Sequence, residues 1–129
     1  MKHLLLTTIA AVLLVGCGPS APDISIHEAA MDGDIEAVKQ HLAAGTDVNA
    51  KGGWPKGTPL HHAAYSFTRG RRPIRTVELL ISKGEDVNSK SETSGTPLDI
   101  ANTWGREPAA DLLRKHGGKT GEELKAEGK

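Results

Sequence analysis

Three short strings recur along this chain, and their spacing constrains the fold more than anything else in it. Gly45-Thr46-Asp47-Val48-Asn49 returns as Gly84-Glu85-Asp86-Val87-Asn88, and Gly57-Thr58-Pro59-Leu60 returns as Gly95-Thr96-Pro97-Leu98. His27-Glu28-Ala29-Ala30 is echoed by His61-His62-Ala63-Ala64, and a weaker copy of the glycine string begins at Gly117-Gly118. Gly84 to Gly117 spans 33 residues, whereas Gly45 to Gly84 spans 39. Thr58 to Gly84 is 26 residues against 21 from Thr96 to Gly117, so the second unit carries five extra residues between its helices. Gly45 to Thr58 is 13 against 12 from Gly84 to Thr96, so the first connecting loop is one residue longer. The base period is therefore 33, and units of that size leave an apolar face that only a neighbouring unit covers.

Each unit reads as two short helices. Thr58 and Thr96 suit the position before a helix, where a hydroxyl accepts from amides of the first turn. Pro59 and Pro97 follow at the first helical position, where a missing N–H costs nothing. Leu60 and Leu98 come next, then His61 in one unit and Asp99 in the other, a carboxylate that favours the positive helix end. Ala29, Ala30, Ala63, Ala64 and Ala101 allow neighbouring helices to approach closely. Val77, Leu79, Leu80 and Ile81 form the apolar body of one second helix, and Ala110, Leu112 and Leu113 that of the next. Gly45, Gly84 and Gly117 end these helices, where a left-handed residue is needed.

Thr58-Pro59-Leu60-His61-His62-Ala63 resembles the signature of the ankyrin repeat family, and Thr96-Pro97-Leu98-Asp99-Ile100-Ala101 matches it with Asp in place of His. Ile26-His27-Glu28-Ala29-Ala30 is the weakest copy, without Thr-Pro, as suits a terminal repeat. The resemblance implies an all-α solenoid of about three helix-turn-helix repeats with β-hairpin loops, over 24–56, 57–94 and 95–119 within a repeat region at 24–119. It also suggests that the His61 ring bonds the threonine hydroxyl. Residues 120–129 read as a short capping helix, with Thr120 and Glu123 at capping-box spacing, or equally as a frayed tail.

The first 16 residues read differently. A short basic start, Met1-Lys2-His3, precedes an apolar run of 12 residues from Leu4 to Val15, too short to span a bilayer as a helix. Leu14-Val15-Gly16-Cys17 resembles a bacterial lipobox, which implies cleavage before Cys17 and acylation of its sulfur and new amine. Residues 17–23 then form a Pro-rich tether. Two or more acyl chains anchor stably where one does not. The expected location is the cell envelope, on the periplasmic face of the outer membrane if the cell is Gram-negative.

Basic and acidic residues balance at 16 each, which points to neither nucleic acid nor an acidic surface. Cys17 is the one cysteine, so no internal disulfide forms. No phosphate loop, nucleophile elbow, zinc-protease motif or calcium loop is present, and no cofactor is expected. His61 and His62 are adjacent and point about 100° apart on a helix, which ill suits a shared metal.

Three features invite contact with a partner. Trp54 lies in the lengthened loop, and tryptophan is enriched in binding hot spots. His62 and Tyr65 belong to the first helix of the second repeat, whose kind lines the concave face in the family. Arg69, Arg71 and Arg72 fall in the inserted segment, which either forks onto carboxylates or phosphates or is simply solvated. Trp104 is expected to pack in the core or at its edge, or to cover that insertion. The favoured reading is a monomeric, non-catalytic, membrane-anchored module that binds another protein. Two others compete: an immunity or inhibitor protein against an envelope effector, which a neighbouring effector gene would favour, and a metal-binding or hydrolytic protein, which stoichiometric zinc would favour.

Overall fold

A computed structural model describes residues 20–54, 56–66 and 73–129. Seven helices run through them: α1 (Ile26–Asp32), α2 (Ile35–Ala43), α3 (Pro59–Tyr65), α4 (Pro73–Ser82), α5 (Pro97–Thr103), α6 (Glu107–Lys115) and α7 (Gly121–Ala126). They form the expected all-α solenoid. α1, α3 and α5 pack in one row, α2, α4 and α6 in a second, and each first helix lies against its own partner. The connecting hairpins are minimal. Among the described residues they amount to two isolated antiparallel bridges, Gly52 to Gly57 and Ser91 to Gly95.

The repeat is visible as capping chemistry. α1, α3, α5 and α7 each open with a reciprocal box: Ser25 with Glu28, Thr58 with His61, Thr96 with Asp99, and Thr120 with Glu123. Ser25 and Thr58 are 33 residues apart, so the first repeat starts one residue later than the His-Ala-Ala echo suggests. Ser25 stands where Thr58 stands, Ile26 where Pro59 stands, and Glu28 rather than His27 matches His61. At the other ends, α2, α4 and α6 close in one hydrogen-bond pattern. The amides of Gly45, Gly84 and Gly117 reach back three residues, and those of Thr46, Glu85 and Gly118 reach back five. That motif needs a left-handed residue, and the three glycines have φ of 89°, 90° and 84°.

Leu60, Leu80, Leu98, Leu113, Val38 and Val77 are fully buried between the rows. Each such side chain contributes roughly 2 kcal/mol of burial. Ala29, Ala30, Ala63, Ala64 and Ala101, also buried, keep the first row tight. Leu79, Ile81 and Leu112 are half-buried at its margin.

Asparagines tie one repeat to the next. Asn49 Oδ1 accepts from the Asp86 amide at 3.0 Å, and Asn88 Oδ1 accepts from the Lys119 amide at 2.7 Å. Asn88 also donates to Gly117 O at 3.1 Å. Asp47 and Asp86 hold these asparagines by accepting their backbone amides at 2.9 Å. The C-terminal segment is a helix rather than a tail. Its Gly121 amide donates to Asp99 at 2.9 Å, the Thr96 hydroxyl donates to Lys119 O at 2.7 Å, and Leu124 is 5% exposed.

Candidate binding face

The extra residue in the first hairpin shapes its tip. The Gly52–Gly57 bridge encloses four residues and the Ser91–Gly95 bridge three. The longer tip is closed by the Lys56 amide donating to Gly53 O at 2.8 Å. Lys56 adopts φ 54°, a left-handed conformation that costs a lysine roughly 1 kcal/mol. The turn carries Trp54 outward, 59% exposed. Below it the hairpin presses on histidines. A Cβ on Gly53 would come within 2.8 Å of His62 Cε1, and one on Gly57 within 2.6 Å of His61 Cγ. Those contacts are why glycines stand there.

Tyr65, at the last turn of α3, meets the edge of Trp54 with ring centroids 5.6 Å apart and planes at 72°. It meets Trp104 in the same manner at 5.0 Å and 89°. Trp104 follows α5 directly as its C-cap and is 45% exposed. It neither enters the core nor covers the core's edge completely. Three aromatic rings from two adjacent repeats and a hairpin thus form one exposed ridge. A cleft of about 460 Å³ separates the two indoles and is lined further by Thr93, Ser94, Gly95, Asp99, Ile100 and Thr103. Edge-to-face contacts hold such rings in defined orientations.

His62 does not join this face. It is 4% exposed, its Nε2 donates to Gly52 O at 3.0 Å, and its ring meets His27 edge-on at 5.0 Å. Burial lowers its pKa below the usual histidine value, so it stays neutral under the hairpin. The expectation that it touches a partner fails because the first hairpin folds back over it. His61 points the other way. Its Nδ1 accepts from the Thr58 amide at 3.0 Å and lies 2.9 Å from the Thr58 hydroxyl, and its Nε2 donates to Gly95 O at 3.0 Å. Burial pushes its pKa down to about 4. The adjacent histidines therefore bind opposite hairpins, one preceding and one following.

Glu85 escaped the sequence reading. It is 5% exposed, and its Oε1 accepts from the Leu60 amide at 2.9 Å, capping α3 from the end of the same repeat. Its Oε2 is buried with no hydrogen-bond partner. Burial, opposed by bonds from Thr58 and Leu60 and reinforced by Asp47 and Asp86, pushes its pKa up to about 8. A signal existed. Glu85 directly follows the left-handed Gly84, a place whose side chain commonly turns inward against the helix.

Thr58, Pro59, Leu60, Thr96, Pro97 and Leu98 are all buried in the helix starts and serve packing and capping. Cys17, Arg69, Arg71 and Arg72 lie outside the described residues. Among the described residues, no helix is long and apolar enough to cross a membrane.

Capped helix pairs stacked in register, with hairpin tips projecting at one side, define a repeat-built binding scaffold. A family model described as "Ankyrin repeats (3 copies)" matches residues 26–123, and the chain belongs to the ankyrin repeat family. It is 39% identical over 82 residues to "2-5A-dependent ribonuclease" of Mus musculus, covering 61% of this chain and 10% of that protein. It is 35% identical over 83 residues to "Putative E3 ubiquitin-protein ligase XBAT35" of Arabidopsis thaliana, covering 64% of this chain and 17% of that one. The chain thus spans a small part of the curated relatives it matches. What is shared is the protein–protein interaction module, which is not itself a catalytic fold.

Proposed function

We propose that this protein is a lipid-anchored docking module of the bacterial cell envelope, without catalytic activity. In this reading residues 1–16 are an export signal, Cys17 becomes the acylated first residue, and 17–23 tether the ankyrin stack to the membrane. The stack then presents the Trp54–Tyr65–Trp104 ridge to one partner protein. The observation that carries the docking claim is this ridge. Three large rings stand together at the surface of a chain with only 3% aromatic residues, and the hairpin beneath one of them holds a strained lysine. Exposed tryptophans held by a half-buried tyrosine are of the kind from which binding hot spots are built, and backbone strain collects at functional loops.

Photo-crosslinking in native envelopes tests it. A Trp54→Ala, Tyr65→Ala double variant loses the adduct given by the wild type and unfolds at nearly the wild-type temperature. An undiminished adduct overturns the ridge as the docking face. The anchor is tested separately: intact-mass analysis finds diacylglyceryl on Cys17 of a chain lacking 1–16, and Cys17→Ser releases the protein from membranes. An uncut chain with a free thiol overturns the anchor and leaves the docking claim standing.

A further inference from the structure

We propose that the cleft between Trp54 and Trp104 receives a cationic side chain, a guanidinium or an ammonium, from the partner protein. The inference rests on the docking role argued above and adds the chemistry of the contact. Two indoles border the cleft, and Asp99 is its one formally charged lining residue among the described residues. Aromatic faces attract cations through their quadrupole, tryptophan most strongly. A carboxylate at the same site fixes the sign of the guest and, for arginine, offers an acceptor to its fork of donors.

Asp99 is positioned to do this because only half of it is engaged. Its Oδ2 accepts from the Thr96 and Gly121 amides, each at 2.9 Å, while Oδ1 has no hydrogen-bond partner among the described residues. The corresponding residue one repeat earlier, His61, is buried, neutral and bonded at both nitrogens. The change from imidazole to the shorter carboxylate leaves both space and charge at this one junction. Lys90 and Lys125 border Asp99 away from the indoles, beside Gly121 and Glu122, and the cations on the other sides are already engaged. Lys56 is paired with Glu92 at 3.2 Å, and Arg106 directs its Nε to Tyr65 O at 3.3 Å.

The test titrates the full chain with three capped tripeptides, Gly-Arg-Gly, Gly-Gln-Gly and Gly-Glu-Gly, read by indole fluorescence and by the two indole N–H signals in NMR spectra. The arginine peptide is expected to shift both indole signals and to half-saturate at a concentration at least fivefold below the other two. Asp99→Asn, whose amide oxygen still accepts from Gly121, raises that concentration at least fivefold, and so does Trp104→Leu, a surface change that spares the core. Equal responses to the three peptides, a preference for the glutamate peptide, or an Asp99→Asn variant that binds like wild type overturns the proposal. If the envelope adduct disappears in the Trp54→Ala, Tyr65→Ala variant and persists in Asp99→Asn, the docking face stands and the cation falls.

Discussion

The first helices of repeats two and three open with the same Thr-Pro-Leu and then diverge, to His61 in one and Asp99 in the other. Both side chains fold back onto their own threonine amide and both also bond forward, His61 through its second nitrogen and Asp99 through the same Oδ2. His61 finds a hairpin carbonyl, that of Gly95, and donates to it. Asp99 finds a helix start, the amide of Gly121, and accepts from it. The difference follows from what comes next. Repeat two leads into a full hairpin, whereas the chain after α6 turns within Gly117-Gly118-Lys119 straight into α7. The third residue of each first helix is thus a coupling position, and its chemistry is dictated by the polar group the next unit presents.

The most forceful way to break this comparison is to remove the two side chains in turn. His61→Ala leaves the Thr58 amide and Gly95 carbonyl unpaired in a site with no exposure and opens a cavity there. An unsatisfied buried group costs about 1–3 kcal/mol and the cavity adds to it, so a loss of roughly 4 kcal/mol is expected. Asp99→Ala removes bonds at a half-buried place that water reaches, at a cost of about 1.5 kcal/mol, mostly that of a lost cap. Urea unfolding of both variants gives the ratio. Equal losses show that the two positions are not differently buried couplers.

A pH series sharpens the contrast, because repeat two holds buried titratable groups that act in opposite senses, the lowered histidines His61 and His62 against the raised Glu85. His61 has its folded pKa lowered from 6.5 to about 4, so its contribution is complete above pH 6.5 and is lost as pH falls toward 4. Glu85 has its folded pKa raised from 4.5 to about 8, so its contribution is complete below pH 4.5 and is lost as pH rises through 8. Between pH 4.5 and 6.5 the slopes of His61 and Glu85 cancel, and the lowered pKa of His62 leaves stability falling as pH drops below 6.5. From pH 6.5 to 8 only Glu85 acts, and the protein loses about 2 kcal/mol at 1.36 kcal/mol per unit. Glu85→Gln, whose amide oxygen still accepts from Leu60, removes that alkaline decline. A decline of the same slope in the variant places its origin elsewhere.

The sequence disclosed the stack because period, threonine caps, N-terminal prolines and terminal glycines are all local signals, read within a few residues of where they act. It disclosed less of the binding face. Trp54, Tyr65 and Trp104 sit on a hairpin tip, at a helix end and just past the next repeat's helix end, and only stacking brings their rings to 5.6 and 5.0 Å. Tyr65 and Trp104 occupy nearly corresponding places in adjacent repeats, so part of the ridge was within reach of the register argument. His62 was misplaced because helical phase alone does not say which side a returning hairpin covers. The first repeat slipped by one residue because its serine cap was read by its alanines instead of its capping box.

The smallest expected effect compares the two asparagine ties. Asn49 makes one bond across its junction, to the Asp86 amide, whereas Asn88 makes two, to the Lys119 amide and the Gly117 carbonyl. All lie near the surface, where each exchanges with water and nets toward the low end of the usual range. Asn49→Ala is therefore expected to cost about 0.5 kcal/mol and Asn88→Ala about 1 kcal/mol by the same scale. Amide hydrogen exchange locates the difference as well as sizing it. Asn88→Ala should speed exchange in α7, whose attachment depends on Lys119, and leave α1 unchanged, whereas Asn49→Ala should leave α7 protected. Exchange in α7 that ignores Asn88 means that Asp99 and Thr96 alone hold the last helix, and that the coupling position outweighs the asparagine tie at the C-terminal end of the stack.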